Sequence, residues 1–231
     1  MAGTSISTPG ETGSGMAGGL SLPRPAVRRR RWRLVVLTLG LLAVLVAVLT
    51  GLAITVAGPF LVVKDGPEPA DVIVVTYGVL GKRGLKQAAG LFDAGLAPRI
   101  VLSRFRQHPD LLTPEPVVYA QRFLVELGVP AAAAAAVPSP VTSLVEEARQ
   151  LARLAAQHEW RRLLVLAMDY RSRRTQGALA KALRGTAAQS IVVPVPEPQW
   201  NPAAWWRTRQ GIDHVWNEYP RLAYYRLRGN I

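Results

Sequence analysis

The chain contains no cysteine. Disulfide bridges, thiolate metal centres and a cysteine nucleophile are therefore excluded. The compartment stays open, because many extracytoplasmic domains carry no disulfide. Histidine is almost as scarce: His108, His158 and His214 stand far apart without HExxH-type spacing, so no histidine metal centre is expected. Acidic residues are in the minority, 15 against 28 lysines and arginines, for a formal charge of +13. No internal repeat is visible. No nucleic-acid recognition motif accompanies the basic charge, so nucleic acid is not an expected partner.

The most consequential absence is of charge between residues 34 and 63, thirty positions dominated by leucine, valine and alanine. Roughly 20 apolar residues at about 1.5 Å each cross a bilayer's hydrocarbon core. The run is long enough to span, with room for tilt or an interfacial end. The apolar part of a secretory signal is roughly 7–15 residues, and residues 53–58 offer small side chains but no convincing cleavage site. An uncleaved transmembrane helix is expected, with Pro59 marking where its regular part frays. Arg28-Arg29-Arg30-Arg31-Trp32-Arg33 stands immediately before it. Positive residues beside a span stay in the cytoplasm, which predicts a single-pass cell-membrane protein with a cytoplasmic amino terminus and an extracytoplasmic carboxyl-terminal domain.

Three parts follow: a tail at 1–33, the span at 34–63 and one domain at 64–231. The tail is rich in Gly, Ser, Thr and Pro and has little to bury, so disorder is its default. It carries six arginines and Glu11, which leaves +8 of the +13 to the domain, mainly at 161–184 and 207–228. A basic tail suits the anionic cytoplasmic leaflet. The domain's own excess suits lipid headgroups or an anionic ligand.

Within the domain, short β-branched or apolar runs alternate with amphipathic ones. Asp71-Val72-Ile73-Val74-Val75-Thr76, Arg99-Ile100-Val101-Leu102-Ser103, Leu163-Leu164-Val165-Leu166-Ala167 and residues 190–195 read as buried strands. Residues 82–94, 143–159 and 171–183 read as helices, as does a stretch from Thr113 and Pro114 to about Leu127. Residues 131–137 are ambiguous: the alanines favour helix, whereas Pro130, Pro138 and the alternation favour a strand or an extended link. Residues 202–228 read as a helix or broken helix rich in Trp, Tyr and Arg. Strands alternating with helices predict a Rossmann-like, doubly wound α/β domain with a mostly parallel sheet.

Ligands of such sheets bind at the carboxyl ends of the strands. That rule selects Thr76-Tyr77-Gly78, Ser103-Arg104-Phe105, residues 139–147 and residues 168–174. Arg171 and Arg174, at the start of a helix, are candidates to hold an anion, against the alternative of solvated helix residues. Glu146, Glu147 and Asp169 are candidate catalytic carboxylates, able to act as a general base or bind a metal; for the two glutamates the competing role is capping beside the N-cap candidate Ser143. Gly78 and Ser103 would shape the pocket with Ser143, although a glycine or serine at a strand end often only permits a turn or caps.

Several runs, in this order and spacing, carry a resemblance. They are Ala70-Asp71-Val72-Ile73-Val74-Val75, then Leu91-Phe92-Asp93-Ala94-Gly95-Leu96-Ala97-Pro98-Arg99-Ile100-Val101-Leu102-Ser103, then Leu127-Gly128-Val129-Pro130. Ser143-Leu144-Val145-Glu146-Glu147-Ala148 follows, and then Asp169-Tyr170 with Arg173-Arg174. Over about residues 68–200 the chain resembles the DUF218 family of YdcF-, SanA- and ElyC-like proteins. The resemblance implies a Rossmann-like fold and a role in the bacterial cell envelope, in barrier function and peptidoglycan or lipid-carrier metabolism. It also draws Tyr170 into the ligand-binding set, but it supplies no reaction and no cofactor. Four positions depart from the family pattern. Tyr77 stands in a loop that is usually glycine-rich, Arg104 follows Ser103 where glycines are usual, Leu144 replaces a common threonine, and Arg171 replaces a common histidine.

Two functional expectations result. One is an envelope enzyme or binding domain acting on a phosphate-bearing or otherwise anionic precursor, small or lipid-linked. The other is a non-catalytic, degenerate family member that binds an envelope partner or the membrane surface through its aromatic and basic carboxyl-terminal segment.

Overall fold

The computed structural model describes residues 26–106 and 116–231. The helix start expected at Thr113 and Pro114, His108, and the tail up to residue 25 lie outside the described residues. Eleven principal elements follow in order: α1 (Ala26–Leu61), β1 (Val72–Val75), α2 (Lys82–Asp93), β2 (Ile100–Leu102), α3 (Pro116–Glu126), β3 (Ala134–Ala136), α4 (Leu144–Gln157), β4 (Arg162–Met168), α5 (Ser172–Ala182), β5 (Gln189–Val195) and α6 (Arg209–Leu227).

The five strands form one parallel sheet in the order β3-β2-β1-β4-β5. Val74 pairs with Val101 on one side and Val165 on the other. Strand residues alternate between faces, and the sheet is apolar on both. Ile73, Val75, Ile100, Leu102, Leu164 and Leu166 pack with Leu85 and Ala88 of α2 and Val117 and Leu124 of α3. Val72, Val74, Val101, Leu163 and Val165 pack with Ala148 and Leu151 of α4 and Ala178 and Leu179 of α5. The chain is therefore α/β with a Rossmann-like parallel sheet covered on both faces. β1 is the central strand: the chain leaves it towards β2 and β3, then returns to its other side as β4. The carboxyl ends of β1 and β4 thus flank the switch point, where a crevice opens.

Residues 131–137 divide. Ala131–Ala133 make one 3-10 turn and Ala134–Ala136 pair with Ile100–Leu102 as β3. A few alanines between two prolines are too short to nucleate a helix, and the open edge of β2 supplies backbone partners instead. The aromatic segment is broken, with a 3-10 stretch at Pro202–Arg207 followed by α6, whose N-cap Thr208 accepts a hydrogen bond from the Gly211 amide.

Among the described residues one helix, Arg31–Leu61, is long and apolar enough to cross a membrane. Contacts divide the chain after Val48, and Leu49–Ile231 form one compact unit. The end of α1 therefore belongs by composition to the apolar run and by contact to the domain. The helix continues through Pro59 to Leu61 instead of fraying at the proline. Its last carbonyls, which lack helical partners, are taken up by the domain. Arg173 Nε donates to Phe60 O at 2.7 Å and the Val63 amide to Ser172 Oγ at 2.9 Å, while the single Ser172 hydroxyl proton is shared between Asp169 O at 2.7 Å and Leu61 O at 3.2 Å. Further back, Trp205 Nε1 donates to Ile54 O at 2.8 Å and the Tyr219 hydroxyl to Ala57 O at 3.0 Å. At Gly58 the helix meets the 202–207 turn so closely that a Cβ would collide with the Pro202 carbonyl and lie 2.6 Å from Trp205 Cδ1.

Gly58→Leu is therefore expected to lower the melting temperature of the full chain in detergent, by overpacking worth about 1–3 kcal/mol. Gly51→Ala, at a position open on all sides, should leave it nearly unchanged. Equal shifts for the two variants would contradict the docked helix end.

Candidate functional site

A cleft of about 530 Å³ lies at the switch point. Its floor is the end of β1 and β4 with the Tyr77–Val79 turn, one wall is the start of α4, and the opposite wall is α5 and α6. Gly78, Ser143, Glu147, Arg171 and Arg174, all expected from sequence, line it.

Glu147 lies one turn into α4 and is buried. Its Oε1 accepts a hydrogen bond from the Tyr77 amide at 3.2 Å. Burial pushes its carboxyl above the ordinary range, opposed by the neighbouring Ser103 hydroxyl and the Tyr77 amide. Ser103 Oγ is itself buried and meets no partner at hydrogen-bond geometry. Glu147 can therefore hold a proton at the cleft and present either an acid or a base to a bound group.

Glu146 points elsewhere. Its carboxylate accepts from the Thr142 amide at 2.7 Å and the Thr142 hydroxyl at 2.8 Å, and its own amide donates to Ser143 Oγ at 3.2 Å. The first of these contacts holds its carboxyl below the usual value. This is a capping arrangement of the kind expected at a helix start. Asp169 does not line the cleft either. It is buried, with Oδ1 accepting from the Tyr170 amide at 2.7 Å and Oδ2 from the Glu197 amide at 3.3 Å. Burial outweighs these bonds and raises its carboxyl to about 6. Its role there is to tie the end of β4 to the loop after β5. Tyr170 packs away from the cleft, stacked on His214 at 3.8 Å and edge-on to Trp200.

The arginines divide between structure and cleft. Arg174 is buried and pairs with Glu218 of α6 through two bonds, Nε–Oε2 at 2.8 Å and Nη2–Oε1 at 3.0 Å. The geometry is the bidentate fork that favours Arg–carboxylate pairing. Arg171 Nε and Arg221 Nη1 approach the same Oε1 at 3.7 and 3.2 Å, with side chains 40% and 50% exposed. Three guanidinium groups therefore surround one carboxylate. Arg174 neutralises Glu218, and Arg171 and Arg221 supply surplus positive charge to the cleft.

Glu218 is not singled out by the sequence, and Arg221 is expected only as one of the basic residues of the carboxyl-terminal segment, not as part of the cleft. The available signal was that Glu218 and Asp213 are the only acidic residues after position 197, in a basic, aromatic segment where a lone acid makes a natural buried counter-ion. Phe105, in the Ser103-Arg104-Phe105 strand end expected at the crevice, stacks on Tyr77 at 4.5 Å and forms a side wall. Tyr77 and Phe105 therefore line the cleft without closing it, and Arg104 does not line it. Arg104 reaches the Pro138 carbonyl at 3.0 Å. Among the described residues no cluster of His, Asp and Glu is arranged to hold a metal ion.

No family model matches the chain, and no curated protein matches it.

Two outcomes follow from the buried groups. Removing the Glu218 carboxylate (Glu218→Ala) leaves the Arg174 charge buried and unpaired, which should cost about 3–5 kcal/mol, whereas Arg171→Ala should cost far less; thermal or denaturant unfolding distinguishes them. Glu147 carries a raised native pKa. The folded protein therefore keeps a proton there that the unfolded chain has released, and the resulting stability, full at low pH, is lost as pH rises through the native value. Glu147→Gln, which retains an acceptor for the Tyr77 amide, should melt above the wild type at about pH 8 and lose that advantage towards about pH 4. The Asp169 carboxyl acts with the same sign through about 6 and persists in this variant.

Proposed function

We propose that this chain is a membrane-anchored cell-envelope protein of the DUF218 type. Its α/β domain would lie outside the cytoplasm and bind an anionic, phosphate-bearing envelope precursor such as those of peptidoglycan or lipid-carrier metabolism. The observation that carries the reading is the surplus of Arg171 and Arg221 over Glu218 at the switch-point cleft. A phosphate placed there gains two half-exposed guanidinium partners without breaking the buried Arg174–Glu218 pair. The order of motifs that resembles the family supports the envelope assignment. The arginine run before the long apolar helix supports the orientation.

A second reading, of binding without catalysis, is favoured by one observation. Of the three carboxylates that sequence pointed to, only Glu147 reaches the cleft. Chemistry on a bound ligand would rest on that residue alone, with the buried Ser103 hydroxyl beside it.

The binding test is calorimetry of the full chain in detergent with inorganic phosphate and with a polyprenyl monophosphate. Charge-assisted hydrogen bonds are worth about 1.5–3 kcal/mol, so Arg171→Ala with Arg221→Ala should weaken binding by about tenfold or more. Unchanged affinity would remove the anion site. Glu147→Gln should preserve affinity; if the wild type also turns the ligand over, this variant should not. A reporter fused after Ile231 should be active only outside the cytoplasm.

A further inference from the structure

A second concavity, unrelated to the cleft's charges, lies between the end of α1 and α6. Its volume is about 620 Å³, within the roughly 300–1,000 Å³ range of small-molecule pockets. One wall is a stripe of α1 that includes Leu49, Ala53 and Ala57, and the other is a stripe of α6 that includes Val215, Trp216 and Pro220. Spacings of four residues, Leu49, Ala53 and Ala57 on α1 and Val215 with Tyr219 and Trp216 with Pro220 on α6, put these residues in neighbouring rows along one side of each helix. No charged residue lines the groove. Apart from Trp216, three polar side chains line it: Trp205 Nε1 and the Tyr219 hydroxyl are turned to the Ile54 and Ala57 carbonyls, which leaves Thr50 as the one further polar group facing an occupant. Trp216 stands at the rim, 79% exposed.

We infer that this groove seats an acyl chain of a bilayer phospholipid at the outer membrane–water boundary. The inference rests on reading α1 as the membrane span. Counted from Arg33, the last charge before the apolar run, roughly 20 residues cross the hydrocarbon core, which brings the chain to Ala53. The α1 wall at residues 49–57 therefore straddles the level at which the hydrocarbon ends. Trp and Tyr favour that level, and Trp205, Trp216 and Tyr219 stand around the groove there. A soluble protein partner would have to enter the bilayer to reach the α1 wall, whereas a lipid chain is already beside it. Lipid tails gain no hydrophobic free energy by leaving their neighbours. The seat is therefore selected by packing, with Ala53 and Ala57 leaving the room that a chain fills.

The test uses the full chain reconstituted into phosphatidylcholine–phosphatidylglycerol vesicles with a phospholipid carrying a photoreactive group on its acyl chain. Labelled peptides are mapped by mass spectrometry. The expected result is label on the 205–220 segment, lost in Ala53→Trp, which fills the groove from an exposed position. Label confined to residues 34–48, or label on 205–220 that Ala53→Trp leaves unchanged, would overturn the proposal. Because the chain has no cysteine, Trp216→Cys introduces a unique thiol. Efficient disulfide dimers in vesicles would identify a second copy as the occupant and also overturn it. Release of the wild-type chain from vesicles by alkaline carbonate would overturn the span itself; retention without groove labelling would overturn the lipid seat alone.

Discussion

Glu218 ties α6 to the start of α5. It is almost completely buried on α6, and its two oxygens receive the fork of Arg174 from α5. Removing two charges from water costs several kcal/mol each, and attraction offsets this only when the geometry is good and the remaining lone pairs are satisfied. Here both conditions are met, since Arg171 and Arg221 converge on the same carboxylate. The Tyr225 ring also covers the Arg174 guanidinium at 5.1 Å. A pair of this kind specifies position more than it adds stability: α6 can settle at one register over α5, with Glu218 opposite Arg174. The cleft's far wall and the groove's outer wall are both parts of α6, so both depend on that register.

The end of α1 is fixed by a complementary device. Helix carbonyls at a carboxyl terminus carry partial negative charge. Here Arg173 and Ser172, neighbours of Arg174 at the start of α5, cap them. Successive residues of one helical turn thus grip two other helices: Ser172 and Arg173 hold α1, and Arg174 holds α6. The crowding of arginines at 171–174 follows from this division. Three cations within four positions cannot share one direction, and they do not. Arg171 faces the cleft, Arg173 caps α1, and Arg174 is consumed by Glu218.

That division also explains what was legible in the sequence. β1, β2, β4 and β5 announce themselves as apolar runs between turn residues, and their alternation with helices implies the parallel sheet and the crevice at its carboxyl edge. Ser143 and Glu146 signal a helix start correctly because capping is local. Glu147, the next residue, faces the cleft only because α4 presents that side to the Tyr77 amide, which depends on where the helix packs. Asp169 stands directly after β4, at the strand end where a crevice is expected. Its fate was decided by the amide of Glu197, 28 residues away. Residues 131–137 could not be resolved by propensity, since the deciding partner was the edge of β2. Glu218 lay beyond reach for the same reason: nothing adjacent to it reveals that Arg174 waits across the fold.

α6 gives these separate observations a common consequence. Arg221, Tyr224 and Tyr225 line the polar cleft, while Val215, Trp216, Tyr219 and Pro220 line the apolar groove. The helix therefore presents two different faces, one to a cleft with surplus positive charge and one to an apolar groove. Pro220 sits inside it and removes a backbone N–H, which leaves the carbonyl four residues earlier without its helical donor at the point where lining passes from groove to cleft. Under the two proposals, a ligand that neutralises Arg171 and Arg221 would act on the same helix that an occupant of the groove would touch, and Glu218 ties that helix to α5. Any change in the tilt of α6 would therefore alter both surfaces together. The buried ion pair is what opposes such a tilt, since moving α6 without α5 would strand Arg174 and Glu218 apart while both side chains are buried.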